Sequence, residues 1–519
     1  MQLFKSAATV GGLTMISRLL GFVRDVMMAA VIGTGPVADA FVVAFRFPNL
    51  FRRLFGEGAF NSAFVPLFAK RLEGDGPAAA RDFGEEVLAG LLFVLLTVLA
   101  IAEIAMPWLM YLFAPGFASE PGKFELAVTL TRIAFPYLVF MSLVALLAGV
   151  LNSLHRFTAA AAAPIVLNIV MISVLAFITL AGWGNTARTG KALVWGVSAA
   201  GAVQLVMLWV ACRRAGMPLK LRRPQMTDRL RRLIALGIPG VVAGGITQLN
   251  LVISTIIASL QSSAPSWLYY ADRIYQLPLG VVGVAIGVVL LPELSRSLRA
   301  GDDNKVRATQ NRSVDISMFL TIPAAVALMA IPYPVIQVLF ERGAFVASDT
   351  QASAAALAAF AAGLPSFVLI KIFSPGFFAR EDTRTPMYFA AAGVAVNILA
   401  ALALFPFFGH VGIAAGTTMA GWLNAGLLGF TLTRRGHFHS DPQLQRNLRL
   451  IIAASLAMGL VLIGADHLTA ALFNNSYPVL FRSLVLAMLV GIGAGVYFGI
   501  TYATGVFRPR ELKQSLKRK

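Results

Sequence analysis

Charged residues are scarce in this chain of 519 residues: they make up 13% of it, against about a quarter in soluble domains. Hydrophobic residues make up 58%, and the mean hydropathy is +0.77. A single aqueous core cannot bury so much apolar surface, and the same composition excludes a disordered or collagen-like chain. The composition therefore predicts a polytopic membrane protein.

Cysteine and acidic residues are also few. The single cysteine, Cys212, rules out a disulfide within the chain. The 24 acidic residues stand against 43 Lys and Arg, which gives a net charge of +19. In a soluble protein this excess would indicate a nucleic-acid partner. In a membrane protein, basic residues collect in the cytoplasmic loops, so we expect no nucleic-acid partner.

Catalytic and metal-binding motifs are missing as well. The sequence contains no P-loop, no G-x-S-x-G elbow, no H-E-x-x-H motif and no cysteine pair for a metal. We therefore expect no enzyme activity, no metal site and no cofactor. Without an ATPase module, transport would draw on an ion gradient, the membrane potential or the gradient of the substrate itself.

What the sequence does contain is a series of long apolar segments. About fourteen of them have the roughly 20 mostly apolar residues that a spanning helix needs. Their Leu, Ala, Val and Gly content favours helices over strands. Their approximate limits are 9–33, 36–60, 84–113, 125–154, 160–182, 190–212, 231–260, 266–292, 314–340, 350–378, 386–406, 410–434, 448–472 and 479–506.

The connectors between these segments predict the orientation. Basic residues crowd the connectors after spans six, eight and twelve and the C-terminal tail, and Arg222, Arg299, Arg435 and Arg510 are examples. The opposite connectors carry only scattered charges: Lys123, Arg188, Lys191 and Arg342. With fourteen spans, all the basic connectors fall on one side. The positive-inside rule then places both termini in the cytoplasm.

A weak internal repeat suggests two halves. The segment 196–201 recurs, one residue shorter, at 412–416, and Ala38-Asp39 with two later prolines resembles Ala271-Asp272 with two later prolines. Six spans per repeat would insert both halves in the same orientation, with a central cavity between them. We therefore expect an N-lobe at 1–222 (spans one to six), a C-lobe at 223–440 (spans seven to twelve), and two extra C-terminal helices with a basic tail at 441–519.

Charges inside spans are the strongest indication of function. Span one contains Arg18, Arg24 and Asp25, and each charge costs roughly 2.5–3.5 kcal/mol at a helix centre. Spans two and eight add further charged and polar residues: Asp39, Arg46, Asn49, Arg52, Arg53, Asp272 and Arg273. Internal ion pairs or snorkelling end residues are the alternative interpretation. Because arginines outnumber carboxylates, we favour an anion site, and planar guanidinium groups suit phosphate in particular.

Glycines and prolines also interrupt several spans. Close helix packing accounts for most of them. Span seven is the exception, because Gly237, Pro239 and Gly240 fall together in its first half. We predict a hinge there, at Gly240, since helix breaks absorb backbone rotation during gating.

Five ordered segments resemble the MurJ (MviN) lipid II flippase family, of the multidrug/oligosaccharidyl-lipid/polysaccharide exporter superfamily. They are Ile16–Asp25, Asp39–Arg53, Gly56–Phe60, Tyr269–Arg273 and Pro375–Pro386. The resemblance covers essentially the whole chain. It implies an all-α fold of two six-helix lobes plus two helices. It also implies a bacterial inner-membrane protein that flips undecaprenyl-pyrophosphate-linked peptidoglycan precursor (lipid II) to the periplasmic leaflet by alternating access.

The resemblance also implies site residues and partners. The positions that match a cationic central cavity are Arg18, Arg24, Asp39, Arg52 and Arg273, with Ser17, Asp25, Asn49 and Asp272 as secondary candidates. Gln276 departs from the pattern, because some relatives place a carboxylate there. The implied partners are lipid II, membrane lipids and the cell-wall synthesis machinery. The last two spans would offer a groove for the lipid tail.

The sequence leaves three other functions open. The chain could export another lipid-linked oligosaccharide or act as a drug or cation antiporter of the same superfamily. An antiporter would need carboxylates in its cavity, whereas this chain has an excess of arginine. A non-transporting scaffold, in which buried charges merely pair, is a further alternative.

Overall fold

The computed structural model describes residues 2–52 and 59–506, and within them it contains eighteen α-helices and no strand. The helices of the first half are α1 Gln2–Ile32, α2 Pro36–Arg52, α3 Ala59–Gly74, α4 Gly76–Phe113, α5 Lys123–Ala134, α6 Pro136–Ser153, α7 Phe157–Leu180, α8 Ala187–Arg214 and α9 Asp228–Ser259. Those of the second half are α10 Ala264–Arg299, α11 Asp303–Ala330, α12 Pro332–Phe340, α13 Ala347–Ala361, α14 Leu364–Phe378, α15 Arg384–Phe408, α16 His410–Arg434, α17 Pro442–Thr469 and α18 Val479–Ala503.

The all-α prediction is confirmed, and the described helices are those of a multi-pass membrane protein. Ten helices or consecutive helix pairs in the described ranges are long and apolar enough to cross a membrane. They are α4, α5–α6, α7, α8, α11, α13–α14, α15, α16, α17 and α18. Predicted spans one, two, seven and eight correspond to α1, α2, α9 and α10, which are not among these ten in the described part of the chain.

Several helix boundaries differ from the expectation. Helix α3 lies in what we took for a connector, and Phe64 and Phe68 on one face of it are fully buried, with the Phe64 ring centroid 5.8 Å from that of Phe83 in α4. The i, i+4 spacing of these two phenylalanines was the available signal. Predicted span nine is also split, since α11 ends at Ala330 and Pro332 starts α12. Proline disfavours helical geometry in the residue before it, here Ile331.

The chain divides into two compact units. The first comprises Met1–Ser266 together with Arg342–Val346, and the second comprises Trp267–Glu341 and Ala347–Lys519. In the first unit, α1 packs on α7, α2 on α5, and α9 on α3 and α4. In the second unit, α15 packs on α16, and α17 packs on α11 and α18. Helix α9 therefore packs within the first unit, and α17 and α18 belong to the second unit, while the expected lobe limits at 222/223 and 440/441 stay a prediction.

The repeated glycine segments occupy equivalent places in their own units. Gly196 lies on α8, and a Cβ added there would be 3.0 Å from Val174 of α7. Gly416 lies on α16, and a Cβ there would be 3.0 Å from the backbone nitrogen of Ala401 in α15. In both cases glycine allows a helix to pack closely against the helix that precedes it. This supports a correspondence between the pairs α7–α8 and α15–α16.

The basic connector between α8 and α9 is held against α4. The Lys220 backbone N–H donates to Oε1 of buried Glu85 at 2.9 Å, and the Arg222 guanidinium contacts Asp82 at 2.7 Å. The hydrogen bond to the Asp82 carboxylate raises the pKa of the exposed Arg222 guanidinium. Exposed ion pairs contribute little to stability, so the hydrogen bond to buried Glu85 stabilises the position of the connector more.

The motif Pro375–Pro386 contains a structural carboxylate. Asp382 lies before α15, accepts from the Thr385 backbone N–H at 3.0 Å and its hydroxyl at 2.6 Å, and pairs with Arg435 at 2.7 Å. These bonds from Thr385 and Arg435 lower the pKa of Asp382 to about 2. Asp382 therefore stays charged at neutral pH and links the start of α15 to the end of α16.

Candidate functional site

A polar cluster joins α1 to α7 within the first unit. The Arg24 guanidinium donates to Oδ1 of Asp25 from Nε at 3.1 Å and from Nη2 at 2.8 Å, and to Oδ1 of Asn168 from Nη1 at 3.0 Å. Only 11% of the Arg24 side chain and 4% of the Asp25 side chain are exposed. We call Ser17, Arg24, Asp25 and Asn168 the α1 cluster. Its contacts hold the guanidinium in one orientation.

Asn168 is the member of this cluster that sequence reasoning missed. Its Nδ2 donates to the backbone oxygen of Ser17 at 2.9 Å and lies 3.5 Å from the Ser17 hydroxyl. Asn168 is buried, and Gly21 leaves room for it, because a Cβ at Gly21 would lie 3.5 Å from Nδ2. Buried amides normally find partners. The available signal was an amide inside the apolar run Pro164–Met171.

Arg18 lies on the same helix but in a different environment. It is exposed, and its guanidinium makes no hydrogen bond or ion pair with the residues that the structure describes. With Asp25 as the only carboxylate of the α1 cluster, Arg18 and Arg24 leave an excess of one positive charge. The five N–H groups of Arg18 therefore remain available to an anion.

Asp39 has a different place from the one we expected. We assigned it to the cationic cavity, but its side chain is fully buried and pairs with Lys123, Nζ to Oδ2 2.8 Å. It also accepts from the Ser263 backbone N–H at 2.9 Å and the Ser266 backbone N–H at 3.1 Å. We call Asp39, Lys123, Ser263 and Ser266 the Asp39 cluster. None of its bonds goes to Arg18 or Arg24.

Lys123 likewise differs from the expectation. We took it for a scattered loop charge, but none of its side chain is exposed. Besides Asp39, its Nζ contacts Glu120 at 2.8 Å and lies 4.4 Å from the centre of the Phe117 ring. A buried charge is stable only when it is paired in this way. The Asp39 cluster thus ties α2 to the start of α5 and to the turn before α10.

The other site candidates of span two are Asn49 and Arg52. Asn49 donates to the Phe45 backbone oxygen of its own helix at 2.9 Å. Arg52 is the last residue of α2, and its side chain lies outside the described part of the structure. Residues 53–58, which include Arg53 and most of the motif Gly56–Phe60, also lie outside the described residues. The roles of Asn49 and Arg52 stay predictions.

The candidates of span eight lie on α10, in the second unit. The Arg273 guanidinium lies over the Tyr269 ring, 4.5 Å from its centre. Such a cation–π contact orients the plane of the guanidinium and leaves its charge in place. Asp272 accepts a hydrogen bond from the Gln276 amide, one turn further along the helix. Gln276 therefore acts as a donor to Asp272.

The predicted hinge lies within a continuous helix. Gly240 is part of α9, which runs unbroken from Asp228 to Ser259, and nothing lies within 4 Å of a Cβ added at Gly237. A hinge at Gly240 stays a prediction.

The fold belongs to a known class of helical transporters. The structure matches an inward-facing multidrug resistance MATE family transporter of the MOP superfamily, with a TM-score of 0.67 and 14% identity over 83% of this chain and 98% of that one. It matches a solved "Lipid II flippase MurJ, inward closed conformation" with a TM-score of 0.76 and 25% identity, over 94% of this chain and 98% of that one.

The sequence comparisons identify the family within that class. A curated relative from Rhizobium meliloti (strain 1021), named "Probable lipid II flippase MurJ", is 52% identical over all of this chain and 97% of its own length. The family model "Lipid II flippase MurJ" matches residues 28–483. The chain therefore belongs to the lipid II flippase MurJ family, and the resemblance drawn from the sequence is confirmed.

Proposed function

We propose that this protein flips lipid II, an undecaprenyl-pyrophosphate-linked peptidoglycan precursor, from the cytoplasmic to the periplasmic leaflet of the bacterial inner membrane. The observation that carries the proposal, beside the family, is the state of the two α1 arginines. Arg24 is oriented by buried Asn168, and Arg18 has no partner among the described residues. Guanidinium groups bind phosphate oxygens through paired hydrogen bonds. Arg18, Arg24 and Arg273 are the residues we assign to the pyrophosphate.

We further propose fourteen spans in two six-helix lobes with two extra helices, and both termini in the cytoplasm. The ten described spans together with α1, α2, α9 and α10 give this number. The basic connectors support the orientation. Energy from an ion gradient or the membrane potential, and a groove for the lipid tail at α17 and α18, belong to the same proposal.

Transport by alternating access requires that one end of the protein open. In the first unit, the Ala344 backbone N–H donates to the Ala30 oxygen at 2.9 Å, and a Cβ at Gly343 would lie 2.2 Å from that oxygen. The Asp39 cluster holds the turn before α10 against α2 in the same unit. We propose that these contacts close the periplasmic end and separate when it opens, with Gly240 as the hinge.

The orientation can be tested with single cysteines. With Cys212 replaced by alanine, Ser262→Cys should react with an impermeant thiol reagent in intact spheroplasts, whereas Ala300→Cys should not. Both positions are exposed, and Ser262 avoids the neighbouring Ser263, whose N–H bonds Asp39. The reverse labelling pattern would contradict the orientation.

The function is tested by depletion in the native bacterium. Lipid II should accumulate on the inner leaflet when the protein is depleted, and wild-type protein should restore its exposure. Gly240→Leu should fail to restore it while remaining folded in the membrane. Normal exposure of lipid II after depletion would reject the function, and full rescue by Gly240→Leu would reject the hinge.

A further inference from the structure

A second cationic feature lies away from the α1 cluster. A cavity of about 520 Å³ opens between the α6–α7 turn and the end of α8, all within the first unit. Arg156 lines it from the turn, Thr158 from the first turn of α7, and Arg214 from α8. This volume lies in the usual range of ligand sites, about 300–1,000 Å³. We call it the Arg156–Arg214 pocket.

The two arginines of this pocket are not neutralised. Both are exposed, and neither guanidinium makes a hydrogen bond or ion pair within the described ranges. None of the nine lining residues is acidic. Thr158 adds a hydroxyl, and the first turn of α7 has no side-chain cap, so its N–H groups are also open to an acceptor. One cavity with two uncompensated guanidinium groups is complementary to a phosphate.

The remaining wall of the pocket is apolar, and this distinguishes a lipid from free phosphate. Leu151, Met207 and Val210 line it. Along α8 the apolar surface continues through Val206 and Val203, which are 62% and 49% exposed. In a membrane protein this face meets acyl chains. A soluble anion would use the arginines alone, whereas a phospholipid would use both parts.

We propose that the Arg156–Arg214 pocket binds the headgroup phosphate of an anionic phospholipid, whose acyl chain lies along α8. Basic pockets between spanning helices are suited to such headgroups. The site is separate from the residues assigned to lipid II and does not depend on the proposed function.

The test measures lipid binding to the purified full-length protein and its variants in zwitterionic nanodiscs or detergent. Native mass spectrometry with added phosphatidylglycerol should show one bound lipid that phosphatidylcholine does not replace. The variant Arg156→Ala/Arg214→Ala should bind roughly 10- to 30-fold more weakly. The matched control Arg307→Ala/Arg312→Ala removes the same charge from exposed arginines outside the pocket, and it should bind like wild type.

Each other outcome would overturn the proposal. An equal loss of lipid binding in the control variant would show that binding depends on general surface charge. Equal binding of phosphatidylcholine would show an apolar groove without selectivity for anions. Displacement by millimolar inorganic phosphate would assign the pocket to a soluble anion. If the double alanine variant does not fold, Ala211→Phe, which fills the cavity and keeps both arginines, should abolish the bound lipid. Retention of the lipid by that variant would exclude the pocket.

Discussion

Arg24→Ala should abolish or cripple flipping without loss of protein from the membrane, and Arg18→Ala and Arg273→Ala should each do the same. Each change removes charge-assisted hydrogen bonds to phosphate, worth about 1.5–3 kcal/mol apiece, or more where water is excluded. This corresponds to a loss of affinity of roughly ten- to a hundredfold per guanidinium. Lysine keeps the charge but loses the planar fork, so lysine at each position should be milder yet still defective.

The controls separate binding from folding. Arg24→Ala leaves the carboxylate of Asp25 buried without its guanidinium, which could by itself destabilise the protein. The pair Arg24→Ala/Asp25→Asn removes that penalty and should still fail to flip. Arg299→Ala, at an exposed helix end, should behave like wild type. Full rescue of a depleted strain by all three alanine variants would show that the arginines are structural and do not capture pyrophosphate.

Asn168 provides a finer test of the same site, because it touches Arg24 and Ser17 but is itself buried. Asn168→Ala should reduce lipid II affinity by less than Arg24→Ala, since it frees the guanidinium without removing it. Asn168→Asp keeps an oxygen for Arg24 but adds a negative charge that cancels the excess positive charge of Arg18 and Arg24, so it should bind lipid II more weakly than Asn168→Ala. Equal binding by both variants and wild type would remove Asn168 as a positioning residue.

The sequence was sufficient for the features that depend on composition. Long apolar runs predicted helices because lipid requires every backbone group to be satisfied internally. Arg18 and Arg24 could be recognised as candidate site residues because a charge inside an apolar span is costly. Some local boundaries were missed even where proline marks them, as at Pro332, and α3 was missed although Phe64 and Phe68 share one buried face of it.

The sequence was not sufficient for pairings between distant residues. Asn168 meets Arg24 across 144 positions, and Lys123 meets Asp39 across 84. Residue type shows what a side chain can bind but not which neighbour the fold supplies. We therefore grouped Asp39 with the arginines of spans one, two and eight, although in the structure it pairs with buried Lys123. For the same reason Lys123 was predicted to be exposed to solvent, because in the sequence it follows the end of a predicted span.

The Asp39 cluster gives the largest expected effect on stability. Lys123→Ala should lower the free energy of unfolding by about 3–5 kcal/mol, because it leaves a carboxylate buried without its partner. Asp39→Ala should cost less, because the ammonium group of Lys123 keeps its contact with Glu120. Thermal unfolding of the purified protein in detergent measures both. A surface control, Lys305→Ala, breaks only the half-exposed pair with Glu293 and should change little.

Removing both charges distinguishes a structural pair from a substrate ligand. In Asp39→Asn/Lys123→Met the amide oxygen can still accept from the Ser266 backbone N–H, and methionine fills the apolar part of the lysine site. Replacing a buried ion pair by neutral groups of similar volume is often neutral or stabilising, so this variant should regain most of the stability that Lys123→Ala loses. It should also flip lipid II, because the pair holds α2, α5 and the turn before α10 together and does not touch the α1 arginines. A double variant that unfolds like wild type but does not flip would show that the charges of this pair take part in transport.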